Sequence, residues 1–185
     1  MQNILFFGDS LTAGYGLKDP DNESFPGLIQ KKIEAAGFQF KVINAGMSGD
    51  TSSGGLNRLD YWLSRPISVF VLELGINDIL RGISPQVTLR NLTSIITKVK
   101  STHPHIKIAL MGMELPGFVP GLMASEFRSI FRKLADTHQL AFVPFLLEGV
   151  AGQRHLNLAD GLHPSAQGYT IIAKHVWPVL EGLLT

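Results

Sequence analysis

Asn3-Ile4-Leu5-Phe6-Phe7-Gly8-Asp9-Ser10-Leu11-Thr12-Ala13-Gly14-Tyr15-Gly16 is the stretch around which the rest of the chain arranges itself. Ile4 to Phe7 are consecutive apolar residues, the pattern of a strand buried on both faces, and Gly8 after them lets the backbone turn sharply. Ser10 is thereby presented at a strand's carboxyl end. Ligands of open α/β sheets bind at that edge, so a hydroxyl here stands where a site is expected. A serine after a strand also serves as a helix N-cap, and this stretch alone leaves both readings open.

Outward from it, strands and helices alternate. Phe25, Leu28, Ile29 and Ile33 share one face of a helix expected to end at Gly37, and Phe40 to Ile43 resumes as a strand. Leu56, Leu59 and Leu63 mark a second helix before a central strand over Ile67 to Leu74. Ser84 caps the next helix and Pro85 fits its first turn, with Leu89, Leu92, Ile95, Ile96 and Val99 as its apolar stripe. A strand over Ile106 to Met111, a helix bearing Met123, Phe127, Ile130 and Leu134, and a strand over Leu140 to Phe145 follow. The last helix is capped by Ser165 and contains Pro178, which is expected to bend or interrupt it. Five strands separated by helices predict an α/β fold with a parallel sheet and helices on both faces, in one domain over residues 1–185.

Composition narrows the function. The chain has 185 residues, enough to bury a core without a staple, and no cysteine, which rules out disulfides, zinc–thiolate sites and thiol catalysis. Charged residues are only 17% and nearly balanced at a net +1, which argues against nucleic acid as a partner. The apolar run at Ile4 is far too short for a signal peptide or a membrane span. As written the chain is expected in the cytoplasm, or in the periplasm or outside the cell if a leader has been removed.

In a parallel sheet every strand-to-helix loop opens on one edge, so distant polar residues converge. Ser10 is then a candidate nucleophile, His163 the general base and Asp160 the carboxylate that orients it, with Gly161 in the turn folding one onto the other. The backbone N–H groups of Ser10 and Gly49, with the Asn77 side chain, are candidate oxyanion donors. Each part has a plainer reading. Asp9 and Asp160 suit turns, Asn77 tolerates left-handed backbone, the glycines of residues 44–55 supply flexibility, and His163 can cap a helix. Their joint placement on one sheet edge favours acyl transfer.

Four blocks carry a family resemblance. Gly8-Asp9-Ser10-Leu11, Ser48-Gly49-Asp50-Thr51, Gly75-Ile76-Asn77-Asp78 and Asp160-Gly161-Leu162-His163, in this order, resemble the sequence blocks of the SGNH hydrolases, also called the GDSL lipase/acylhydrolase family. Ile76 stands where the third block commonly has a second glycine. The resemblance implies a flavodoxin-like three-layer α/β/α sandwich and ester hydrolysis without metal or other cofactor. Ser10, Gly49 and Asn77 would form the oxyanion hole. Within the family the chain most resembles the bacterial arylesterase and thioesterase I/lysophospholipase L1 branch.

The expected substrate is a small-molecule or lipid ester, with short acyl and aryl esters favoured and thioesters or lysophospholipids as further members of the class. Leu115, Phe118 and Val119, in a largely apolar loop, are expected to line an acyl pocket, and Glu114 to disfavour anionic leaving groups. Two rival readings remain. A metal-dependent phosphoesterase would use Asp9, Asp50, Asp78, Asp160 and His163 as ligands, and a non-catalytic anion- or nucleotide-binding domain would cradle phosphate at Ser10, Gly14 and Gly16.

Overall fold

The structure, a computed structural model, describes residues 2–115 and 121–185. β1 (Gln2–Gly8) is the middle of the fold, and its apolar run from Ile4 to Phe7 is fully buried. It lies between β2 (Phe40–Gly46) and β3 (Val69–Glu73). The sheet continues through β4 (Lys107–Met111) to β5 (Ala141–Val143), in the order β2-β1-β3-β4-β5 with every pair parallel. β3 is buried along its whole length, whereas the edge strand β2 is half exposed, as its position with one neighbour requires.

The helices are α1 (Ser10–Ala13), α2 (Pro20–Glu23), α3 (Phe25–Ala35), α4 (Ser52–Leu63), α5 (Ile76–Leu80), α6 (Pro85–Thr102), α7 (Gly121–His138) and α8 (Ala166–Leu184). α3 packs on α8 to form one layer, and α4, α6 and α7 form the other, so the sheet is the filling of a three-layer sandwich. Side-chain oxygens of Ser24, Thr51, Ser84 and Ser165 accept the free N–H groups at the starts of α3, α4, α6 and α8. Each such cap stabilises its helix by about 1 kcal/mol.

Four local expectations change. β3 stops at Glu73 and leaves Leu74 in the following loop, and β5 stops at Val143 because Pro144 has no N–H to extend the ladder. α8 runs through Pro178 to Leu184 without interruption. The proline removes one backbone donor, but Leu180 and Leu184 beyond it are buried, and their packing holds the last turn. Gly8 stays in β1 rather than making the turn. It is glycine because a Cβ there would lie 2.1 Å from Thr12 Oγ1 and 2.5 Å from Glu73 Oε2.

The strand order reverses direction between β1 and β3, and the two chain segments that leave those strands carry Ser10 and Asn77. That is the switch point where open α/β sheets form their crevice.

Candidate active site

Ser10 begins α1, directly after Asp9 at the end of β1. Its Oγ lies 2.9 Å from His163 Nε2, and His163 Nδ1 lies 2.7 Å from Asp160 Oδ2. The other Asp160 oxygen accepts the backbone N–H groups of Leu162 at 2.9 Å and His163 at 3.0 Å. A left-handed Gly161 (φ +69°) lets this three-residue turn close on itself. Partial desolvation raises the Asp160 carboxyl, but the hydrogen bonds from the backbone and ring of His163 and from Leu162 outweigh it and hold its pKa at about 2. Asp160 is therefore an acceptor only, so Nδ1 carries the imidazole hydrogen and Nε2 presents a lone pair to the Ser10 hydroxyl.

Beneath Ser10 lies a buried polar layer. Asp9, Thr12 and Glu73 are fully buried. Asp9 Oδ1 accepts Leu11 N–H at 3.0 Å, and Glu73 Oε2 accepts Asp9 N–H at 3.1 Å and the Thr12 hydroxyl at 2.8 Å. Glu73 Oε1 has no partner among the described residues. Burial lifts the Asp9 carboxyl to about 6, and burial with the neighbouring Asp9 charge pushes Glu73 well above its ordinary range. Tyr169, also fully buried, donates to Leu11 O at 2.9 Å and supports the same turn from the α8 side.

The candidate oxyanion donors are unequal. The backbone N–H groups of Ser10 and Gly49 donate to no partner among the described residues. Asn77 Nδ2 donates to Asp9 Oδ2 at 2.9 Å and to Asp50 O at 3.0 Å, so both of its hydrogens are already engaged and an arriving oxyanion must share one. Gly49 sits in a turn closed by Asp50 N–H to Met47 O at 3.0 Å, and Arg81 donates to its carbonyl at 2.6 Å.

The carboxylates that a two-metal reading requires are turned to other tasks. Asp50 pairs with Arg58 Nε at 2.7 Å, while the rest of that guanidinium donates to Ala45 O at 2.9 Å and Gly8 O at 3.0 Å. The fully buried Asp78 accepts the Ser52 N–H at 2.8 Å, the Ser52 hydroxyl, and the Thr88 hydroxyl at 3.2 Å. Among the described residues no group of three His, Asp or Glu side chains is placed to hold a metal ion.

A cavity of about 500 Å³ opens beside Ser10. Ile76, Leu80, Met113, Leu115, Phe145 and Leu147 give it apolar walls, and Asn77 and His163 face it from the reacting end. Leu115 thus lines the cavity, whereas Phe118 and Val119 lie outside the described residues. Glu114 also reaches the cavity but pairs with Arg128 at 3.2 Å, which offsets the charge expected to repel anions. Another hollow, of about 570 Å³, lies at the opposite sheet edge among Gln2, Ser68, His103 and Lys107, with no paired nucleophile and base.

Sequence reasoning did not single out Glu73, Arg58, Arg81 or Tyr15, whose ring centroid is 4.6 Å from that of His163. Glu73 alone left a trace, a carboxylate ending the apolar run Val69-Phe70-Val71-Leu72.

Comparison with known proteins agrees with this architecture. The Pseudomonas aeruginosa protein named Esterase TesA is 37% identical over 185 residues, covering 99% of this chain and 90% of that protein. The Escherichia coli K12 protein named Thioesterase 1/protease 1/lysophospholipase L1 is 34% identical over 182 residues, covering 98% and 84%. A crystal structure of the psychrotrophic esterase EstA from Pseudoalteromonas sp., inhibited by monoethylphosphonate, superposes with a TM-score of 0.90 at 31% identity, covering 100% of this chain and 99% of that one. Among the described residues no helix is long and apolar enough to cross a membrane. Residues 6–171 match the GDSL-like Lipase/Acylhydrolase family, and with these relatives spanning nearly the whole chain, the protein belongs to that family, the SGNH hydrolases, as a hydrolase of carboxylic esters.

Proposed function

We propose that the enzyme hydrolyses esters through an acyl-enzyme on Ser10. The observation that carries this is the single file of atoms from Ser10 Oγ to His163 Nε2 at 2.9 Å and from Nδ1 to Asp160 at 2.7 Å. As Oγ attacks the ester carbonyl, its proton passes to Nε2, and the carboxylate of Asp160 stabilises the imidazolium so formed. The carbonyl oxygen becomes an oxyanion facing the N–H groups of Ser10 and Gly49 and the Asn77 amide. Collapse breaks the ester C–O bond and returns the proton from Nε2 to the departing alkoxide. Water, deprotonated by the same nitrogen, then releases the acid and restores Ser10.

The cavity beside Ser10 takes the acyl group in this reading, and the alcohol leaves past Tyr15. Short acyl and aryl esters are the favoured substrates. A volume near 500 Å³ also has room for longer chains, so thioesters and lysophospholipids fall within the class.

Incubation with a fluorophosphonate followed by intact mass and peptide mapping tests the mechanism. The expected result is one adduct, on Ser10, absent from Ser10→Ala. An unlabelled but folded wild-type protein would remove the serine mechanism.

A further inference from the structure

Of the two adjoining positions 75 and 76, only the first requires glycine in this chain. Gly75 has φ +127°, and a Cβ there would lie 3.2 Å from Thr88 Cγ2 and 3.3 Å from Phe131 Cζ. Ile76 opens α5 with negative φ, so its β-branched side chain is carried without backbone strain. The side chain is free to be a wall, and it is one. Ile76 and Leu80, four residues apart, share a face of α5 and both line the cavity beside Ser10.

The sheet order fixes where along the cavity each stands. Gly49 follows β2, on one side of β1, whereas Ile76, Met113 and Phe145 follow β3, β4 and β5 on the other. The cavity therefore runs from Ser10 away from Gly49, along the carboxyl edge of the sheet. Ile76, partly buried against the core and adjacent in sequence to Asn77, stands at its inner end. Leu80 is 54% exposed and stands toward the mouth.

We propose that Ile76 decides which acyl groups are accepted, by limiting bulk on the carbon next to the reacting carbonyl, while Leu80 meets the chain farther out. This inference rests on the assignment of the cavity to the acyl group. When Ser10 Oγ is bonded to the carbonyl carbon and the oxyanion faces Asn77, the first acyl carbon is one bond away. A branch on that carbon competes for the space that the four side-chain carbons of Ile76 fill. One methyl group in an apolar site changes discrimination by about 10- to 200-fold, so this position is able to set a preference for unbranched acids.

The test compares kcat/KM for 4-nitrophenyl butyrate, isobutyrate and octanoate in the wild type, Ile76→Ala, Ile76→Phe and Leu80→Ala. Ile76→Ala is expected to raise the isobutyrate-to-butyrate ratio by about tenfold and Ile76→Phe to lower it, while Leu80→Ala moves the octanoate-to-butyrate ratio instead. Butyrates of straight and branched alcohols form the control series. An isobutyrate-to-butyrate ratio unchanged in both Ile76 variants overturns the proposal, as does a response confined to the alcohol series. Fluorophosphonate labelling separates the two levels: full labelling of Ser10 with unchanged ratios sinks the role of Ile76 alone, whereas an unlabelled wild type sinks the serine mechanism beneath it.

Discussion

Ser10 and Asn77 stand on a buried polar layer at the ends of β1 and β3, whereas His163 stands on a turn at the surface. Asp9, Glu73 and Asp78 are all fully buried, and Glu73 ties together segments more than sixty residues apart through its bonds to Asp9 and Thr12. Asp160 and His163 have side chains 38% and 21% exposed, and the hydrogen bonds that fix the Asp160 carboxylate come from within their turn. The sheet-borne half is over-determined by the fold, and a change there strains the whole molecule. The turn-borne half is set by its own few residues and meets the loop after β1 through one hydrogen bond to Ser10 and a half-solvated ring contact with Tyr15. Stability and catalysis should therefore separate under mutation.

The largest effect is expected where catalysis alone is touched. His163→Ala should lower kcat by about 10⁴, equivalent to about 5.5 kcal/mol, because the base is lost while the donors and binding surfaces remain. Its melting temperature should stay at the wild-type value, since the polar contacts of the ring are to Ser10 and Asp160, which lie at or near the surface of the site. A large fall in melting temperature would show that the turn is structural after all.

Arg58→Ala is the converse. Removing this guanidinium strips the partner from Asp50, whose side chain is only 6% exposed, and takes one donor from each of the carbonyls of Gly8 and Ala45. Breaking a buried pair in this way costs about 3–5 kcal/mol. Urea unfolding should show that loss, and the surviving folded fraction should still be labelled at Ser10 by a fluorophosphonate. Near-wild-type stability would mean that the buried layer is less demanding than its geometry states.

The same contrast governs what was legible in the sequence. Ile4 to Phe7 announced a buried strand because nothing polar interrupts them, and Ser84 and Ser165 announced helix starts because a cap is a local event. Asp160, Gly161 and His163 were readable for the same reason, as a turn whose chemistry lies within four residues. Arg58 reads as an ordinary helix-surface residue until β1 and β2 are placed beside it. Glu73 reads as a strand end until Gly8 is found against it. α1, α2 and α5 have at most five residues each, too short for an apolar period to register.

Asn77→Ala joins the two halves of the comparison. Its amide is both a candidate oxyanion donor and a tie between Asp9 and the Asp50 carbonyl. Loss of one oxyanion donor should lower kcat by about 10²–10³, with KM little changed. Since the amide also serves two buried acceptors, a measurable loss of stability should accompany it, unlike in His163→Ala. A kinetic defect without any destabilisation would put Asn77 with the turn rather than with the layer.

Glu73→Gln sharpens the account of the layer itself. Glu73 holds its proton in the folded protein to a pH well above 4.5, while the unfolded chain releases it near that value. Above 4.5 the unfolded state therefore binds fewer protons, and stability falls with rising pH by up to about 1.4 kcal/mol per unit until the folded carboxyl ionises. Asp9 acts with the same sign, but only between 3.8 and about 6. Chemical unfolding from pH 4.5 upward should thus give a steeper loss in the wild type than in Glu73→Gln, and equal slopes would return Glu73 to the ordinary carboxylates.

The smallest expected effect is at Tyr15. Its ring lies 4.6 Å from that of His163 at an angle of 45°, yet Tyr15 is 51% exposed, so the contact is half solvated. An aromatic pair of this kind is worth at most about 1 kcal/mol, and Tyr15→Ala should lower kcat/KM only a few-fold at an unchanged melting temperature. Tyr15→Phe should match the wild type, because the phenol hydroxyl has no protein partner among the described residues. The effect is small because the imidazole is already oriented on its other nitrogen by Asp160, whose position is fixed by two backbone N–H groups. A loss near 10² in Tyr15→Ala would mean that those bonds do not suffice and that the surface turn borrows its order from the loop after β1.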